Sequence, residues 1–124
     1  MDKPVVLLVD DEPRILSALT RSLRREGYQL LTASCGEDAL EVLGREQIAL
    51  IISDYRMPGM NGDELLAKVR DSYPQIRRMM LTGYSSLDKA KDIAGLGVAE
   101  RLIMKPWNLD ELRSAISELL ADEP

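Results

Sequence analysis

Histidine is missing from the 124-residue chain, and cysteine occurs once, as Cys35. Without an imidazole, dyads and triads that use histidine as base cannot be built. A lone cysteine closes no internal disulfide and, with no histidine beside it, no Cys/His zinc site. Long apolar runs are also missing. Val5–Val9 and Ala49–Ile52 stop far short of the roughly 20 residues that a membrane-spanning helix needs. The N-terminal Met1-Asp2-Lys3-Pro4 has neither the basic nor the apolar region of a secretory signal, so a cytoplasmic protein without membrane attachment is expected. Basic residues are outnumbered 16 to 21, giving a net charge of −5 and a pI near 4.8. That balance opposes direct binding to nucleic acid and leaves cation binding open. Glycine is lacking after the first apolar run, where Asp10-Asp11-Glu12 would offer like charge to a phosphate. A flavin or dinucleotide site is a poor match there.

What is present fits an ordinary packed domain: 45% hydrophobic and 30% charged residues exclude a disordered or fibrous chain. The length suits one domain, residues 1–124, with a radius of about 14 Å. Short β-rich apolar runs alternate with stretches of helical spacing, which predicts five β/α units around a parallel sheet. The expected fold is a single doubly wound flavodoxin-like α/β domain with strand order 2-1-3-4-5. The predicted strands are Val5–Val9, Tyr28–Ala33, Ala49–Ser53, Arg77–Thr82 and Arg101–Met104. Pro13 opens a first helix whose stripe of Leu16, Leu19 and Leu23 is predicted to end with Gly27 as its cap. Ser34 with Glu37, Asn61 with Glu64 and Asn108 with Glu111 are predicted to cap the second, third and fifth helices. A weaker fourth helix runs from Ser85 or Ser86 to about Ala94.

In open parallel sheets the ligand site lies beyond the carboxyl ends of the strands. Those positions hold Asp10, Asp11 and Glu12 after the first strand, Asp54 after the third, Thr82 at the end of the fourth and Lys105-Pro106 after the fifth. Taken singly, each has an ordinary explanation as helix cap, turn residue, strand residue or surface charge. Together they place acids, a hydroxyl and an amine at one edge. Converging carboxylates call for a hard divalent cation, and Mg²⁺ is the economical choice. A cation, a hydroxyl and an ammonium suit the oxygens of a transferring phosphoryl group, with a carboxylate as the remaining candidate nucleophile.

These motifs resemble those of the receiver domains of two-component response regulators: Val9-Asp10-Asp11-Glu12, Ser53-Asp54-Tyr55-Arg56-Met57-Pro58-Gly59-Met60-Asn61-Gly62, Leu81-Thr82-Gly83-Tyr84 and Lys105-Pro106, in order across essentially the whole chain. The resemblance implies that Asp54 accepts a phosphoryl group from a phosphohistidine of a sensor histidine kinase or phosphotransfer protein. It further implies that Asp10, Asp11, Asp54 and the backbone carbonyl of Arg56 hold Mg²⁺, and that Thr82 and Lys105 take phosphoryl oxygens. Gly83 would leave room for the group, and Lys105-Pro106 would be a cis peptide. The only reactions catalysed would be the domain's own phosphorylation and dephosphorylation.

The output surface implied is the face of the fourth helix, fifth strand and fifth helix, acting on an effector domain or protein. A phosphorylation-dependent homodimer is compatible with it. Leu102 stands where the family often has an aromatic switch residue, so Tyr84 or Trp107 is considered as a substitute transmitter; a packed anchor is the alternative for Trp107. Two other functions compete. One is a docking module that does not use phosphorylation. The other is a Mg²⁺-dependent aspartyl-phosphate phosphatase, which usually has a second aspartate two positions after its nucleophile, where this chain has Glu12 or Arg56.

Overall fold

A computed structural model of the chain describes residues 3–83 and 97–121. In chain order the elements are β1 (Val5–Val9), α1 (Pro13–Leu23), β2 (Gln29–Ala33), α2 (Gly36–Arg45), β3 (Leu50–Asp54), α3 (Gly62–Ser72), β4 (Arg77–Thr82), β5 (Arg101–Met104) and the C-terminal helix α4 (Leu109–Ala121). All strand pairs are parallel, in the order β2-β1-β3-β4-β5, as expected. The predicted fourth helix and Tyr84 lie outside the described residues.

The sheet is covered on both sides, and the strands show why. Successive side chains of a strand point to opposite faces. In β1, Leu7 and Val9 join one core with Ala39, Val42 and Leu43 of α2 and Leu65, Leu66 and Val69 of α3. Val6 and Leu8 join the other, with Leu19 and Leu23 of α1 and Leu112, Ala115 and Ile116 of α4. A strand buried on both faces therefore reads as an unbroken apolar run, as β1 does throughout and β3 does as far as Ile52.

Several local expectations are corrected. α2 starts at Gly36 with Cys35 as its cap, whose sulfur accepts from the Asp38 N–H at 3.5 Å, while the Ser34 hydroxyl bonds the Asp38 carboxylate. Gly36, the first residue of the helix, packs against the Met60 side chain. α1 ends at Leu23 and Arg24 caps it; Gly27, at φ 89°, makes the turn into β2 instead. Asn61 precedes α3 without a side-chain cap bond, its carboxamide oxygen being taken by the Met57 N–H at 3.2 Å. Asn108 does cap α4, accepting from the Glu111 N–H at 3.1 Å. β2 begins one residue later than predicted, and β3 is shifted by one so that it includes Asp54.

Candidate functional site

The parallel register delivers the polar strand ends to one edge. Val9 pairs with Ser53, Asp54 with Leu81 and Thr82 with Met104, so β1, β3, β4 and β5 finish at nearly the same level. Asp10 lies just beyond β1 and is held by backbone on both sides. Its N–H donates to the Ala33 carbonyl at 3.2 Å, and its Oδ1 accepts from the Glu12 N–H at 2.9 Å. Lys105 leaves β5 with its N–H on the Thr82 carbonyl at 2.7 Å, and the Lys105-Pro106 peptide is cis.

Four side chains meet there. Asp10 and Asp54 are buried, at 1% and 7% exposure, whereas Asp11 faces solvent. One oxygen from each of the three carboxylates lies within 4.8 Å of the others. Lys105 Nζ sits 2.9 Å from Asp54 Oδ1 and 3.4 Å from Asp10 Oδ2. Burial pushes Asp54 above the ordinary carboxylate pKa; hydrogen bonding and charge from Lys105 pull it down by less, and Asp10 and Asp11 add to the rise. Asp10 is raised for the same first reason, against the Glu12 N–H and Lys105. Burial also opposes the Lys105 ammonium, but Asp54 and then Asp10 outweigh it and hold its pKa above the usual value. Three carboxylates with one ammonium leave excess negative charge half out of water. A donor set of carboxylate oxygens with one exposed member fits a hard divalent cation such as Mg²⁺.

Asp11, Tyr55, Arg56, Met57, Pro58 and Asn61 line an open cleft of about 420 Å³. Thr82 is buried at the end of β4. It follows Met80 on the α2/α3 side of the sheet, whereas Asp54 follows Ile52 on the other, and its hydroxyl donates to the Gly83 carbonyl at 3.3 Å. Among the described residues, a Cβ added at Gly83 would meet nothing within 4 Å. Trp107 is half-buried against the α1/α4 core, which is the packed anchor weighed above.

Ser53 and Gly62, the two ends of the motif around Asp54, position backbone at the site. The buried Ser53 hydroxyl donates to the Asp54 carbonyl at 2.9 Å. Gly62 donates its N–H to the Tyr55 carbonyl at 2.7 Å, and a Cβ on it would fall 2.1 Å from the Asp54 carbonyl oxygen. Glycine is required there by close backbone approach, a cause that a turn-rich string of residues conceals.

A family profile described as "Response regulator receiver domain" matches residues 6–117, and the chain belongs to that family. Sporulation initiation phosphotransferase F of Bacillus subtilis is 33% identical over 115 residues, covering 93% of this chain and 92% of that protein. The hydrogenase transcriptional regulatory protein HoxA of Cupriavidus necator is 39% identical over 115 residues, covering 91% of this chain but 23% of its own length. The chain thus spans about a quarter of several curated relatives that it matches. Among solved structures, response regulator protein TrrA from Thermotoga maritima, in complex with Mg²⁺ and BeF, superposes with a TM-score of 0.85 at 32% identity, covering 94% of this chain and 99% of that one. Receiver domains are mostly signalling modules that interact with histidine kinases or phosphotransfer proteins and are linked to effector domains in homologues. Among the described residues, no helix is long and apolar enough to cross a membrane.

Proposed function

We propose that the chain is a cytoplasmic receiver domain, residues 1–124, that takes a phosphoryl group onto Asp54 from the phosphohistidine of a sensor histidine kinase or phosphotransfer protein. The observation that carries this reading is the carboxylate of Asp54, buried at the end of β3 with Lys105 Nζ at 2.9 Å and oxygens of Asp10 and Asp11 within 4.8 Å. One Asp54 oxygen forms the new P–O bond while the P–N bond of the donor breaks, its electron pair leaving with the imidazole nitrogen. Lys105 neutralises an oxygen of the group in transfer, and Thr82 takes another once its hydroxyl turns from the Gly83 carbonyl. Asp10, Asp11, Asp54 and the Arg56 carbonyl would hold Mg²⁺. When bound, the ion supplies the positive charge that lets carboxylates and phosphoryl oxygens share one site.

The added charge, about −2, changes what Lys105 and Thr82 face. Thr82 ends β4 and Lys105 follows β5, and we assign the output surface toward an effector domain or protein to the β5 and α4 face, together with the fourth helix that the sequence predicts. A homodimer formed on phosphorylation would use the same response. Intact mass after incubation with acetyl phosphate tests the reading. A single phosphoryl adduct is expected for the native chain with Mg²⁺, and none for Asp54→Asn or without the ion. An adduct retained by Asp54→Asn would sink the assignment of Asp54.

A further inference from the structure

Asn61 stands at the N-cap of α3, where an asparagine ordinarily accepts an N–H of the helix's first turn. Here it makes no such bond. Its Oδ1 accepts instead from the N–H of Met57, four residues back in the loop after β3, at 3.2 Å. A capping residue that turns away from its own helix breaks a local rule, and such breaks gather where function sets the geometry. The next residue reaches back as well, the Gly62 N–H donating to the Tyr55 carbonyl at 2.7 Å.

These two bonds grip the peptide units on either side of the Arg56 α-carbon. A trans peptide unit is planar, with its C=O and N–H pointing in opposite directions, so the backbone turns only at the α-carbons. Gly62 holds the Tyr55–Arg56 unit by its oxygen, and Asn61 holds the Arg56–Met57 unit by its nitrogen. The unit before them is held too, by the Ser53 hydroxyl on the Asp54 carbonyl and by the Tyr55 N–H on the Leu81 carbonyl at 2.9 Å. Three consecutive units are thus fixed, and the last depends on the Asn61 side chain. Its other end is the Arg56 carbonyl, which by planarity faces away from the Asn61 oxygen. Asp11, Arg56 and Asn61 line one cleft.

From these observations we infer that Asn61 is a positioning residue for divalent-cation binding: by holding the Met57 N–H it sets the direction of the Arg56 carbonyl, without touching the ion itself. This inference rests on the reading of Asp10, Asp11, Asp54 and the Arg56 carbonyl as the Mg²⁺ ligands. Carboxylates are drawn to a cation by charge. A neutral backbone carbonyl has no such pull and depends on being aimed beforehand, which is the work of the groups that bond the other side of a ligand.

The test is a Mg²⁺ titration of the native chain and of Asn61→Ala, Asn61→Ser and Asn61→Asp, read by calorimetry and by NMR. Carbonyl-¹³C arginine with ¹⁵N methionine marks two peptide units, Arg56–Met57 and Arg78–Met79. The second lies in β4 with its carbonyl on the Glu100 N–H at 2.9 Å, and serves as the control. In the native chain Mg²⁺ should shift the first signal and leave the second in place. Asn61→Ala should bind Mg²⁺ roughly 10–100-fold more weakly. Asn61→Ser keeps a helix-capping side chain that is too short to put an oxygen where Oδ1 lies, so it should lose affinity alike even if Asn61→Ala fails to fold. Asn61→Asp keeps that oxygen and should regain native affinity with the Met57 signal near its native position. Native affinity in the alanine and serine variants overturns the inference. So does tight binding by Asn61→Asp with the Met57 signal displaced as in Asn61→Ala, because charge alone would then explain it. Binding to the native chain that leaves the Arg56–Met57 signal unmoved removes the carbonyl as a ligand, and the inference with it, while labelling of Asp54 by acetyl phosphate stands. Failure of Mg²⁺ to bind the native chain also removes the inference, and acetyl phosphate labelling then decides whether the phospho-accepting reading falls too.

Discussion

At the amino edge of the sheet, Arg77 and Arg78 meet Glu100, and Arg101 meets Glu118 at 2.7 Å. The buried Arg78 guanidinium also donates to the Val98 carbonyl at 2.9 Å and the Ile76 carbonyl at 3.1 Å, closing the turn that leads into β5. At the carboxyl edge, Asp10, Asp11 and Asp54 share one ammonium, and burial raises the pKa of two of them. The amino edge pairs its charges within the fold; the carboxyl edge gathers three carboxylates around one ammonium. Substitutions at the first should therefore cost stability without touching chemistry. Those at the second should trade one against the other.

The largest effect is expected where backbone closes on backbone at the carboxyl edge. Gly62→Ala must push α3 away from the Asp54 carbonyl, at a cost of about 3 kcal/mol in urea unfolding. Phosphorylation by acetyl phosphate should slow as well, because the acceptor strand end moves. An unchanged urea midpoint would show that the α3 start yields freely.

Next comes the amino edge. Arg78→Met keeps apolar bulk but leaves two carbonyls without their donor and weakens the hold on Glu100, for a loss of about 2 kcal/mol. Asp54 labelling should proceed at the native rate in the folded variant. A slower rate would mean that the base of β5 sets the placement of Lys105, and the two edges would no longer be independent.

How much of this contrast could be read in advance depends on distance along the chain. The strands, their order and the site acids follow from local patterns: apolar runs on a doubly covered sheet, and polar residues at the end of each. Asp10, Asp11, Asp54 and Lys105 were legible because topology alone collects strand ends. The roles of Ser53, Gly62 and Asn61 were not legible, although all three stand in the motif, since they arise from backbone geometry that only the folded strand end and loop fix. The Arg78–Glu100 clip was hidden for the same reason, spanning 22 residues. Asn61 does stand at the N-cap of α3, but its side chain shows competition for one oxygen: it serves the Met57 N–H instead of its own helix.

A smaller effect has a sign that runs against intuition. Because Asp10 and Asp54 have raised pKa values in the fold, their neutral forms favour folding, and that stability is lost as pH rises from the ordinary carboxylate value through the folded one. At neutral pH without divalent cations, Asp54→Asn should therefore unfold at higher temperature than the native chain, by about 1 kcal/mol of added stability. Mg²⁺ should stabilise the native chain and narrow the gap. A lower melting temperature for Asp54→Asn would show that its bond to Lys105 outweighs burial and charge repulsion.

The least effect belongs to Tyr28, at the start of β2, where the amino edge departs from its own rule. Its hydroxyl is buried and has no hydrogen-bond partner among the described residues, while Glu26 pairs with Arg113 at 3.0 Å nearby. Burial, with the Glu26 charge added and Arg113 opposing, pushes the phenol up to about 12. Tyr28→Phe removes an unpaired hydroxyl and should change stability at pH 7 by no more than about 1 kcal/mol, in the stabilising direction. The neutral phenol favours folding, so the native chain should lose on the order of 1–2 kcal/mol relative to Tyr28→Phe as pH rises from about 10 through about 12. Urea unfolding of both chains across that range measures the divergence. Parallel curves would mean that the hydroxyl reaches solvent, and the amino edge would then keep its charges and hydroxyls satisfied without exception.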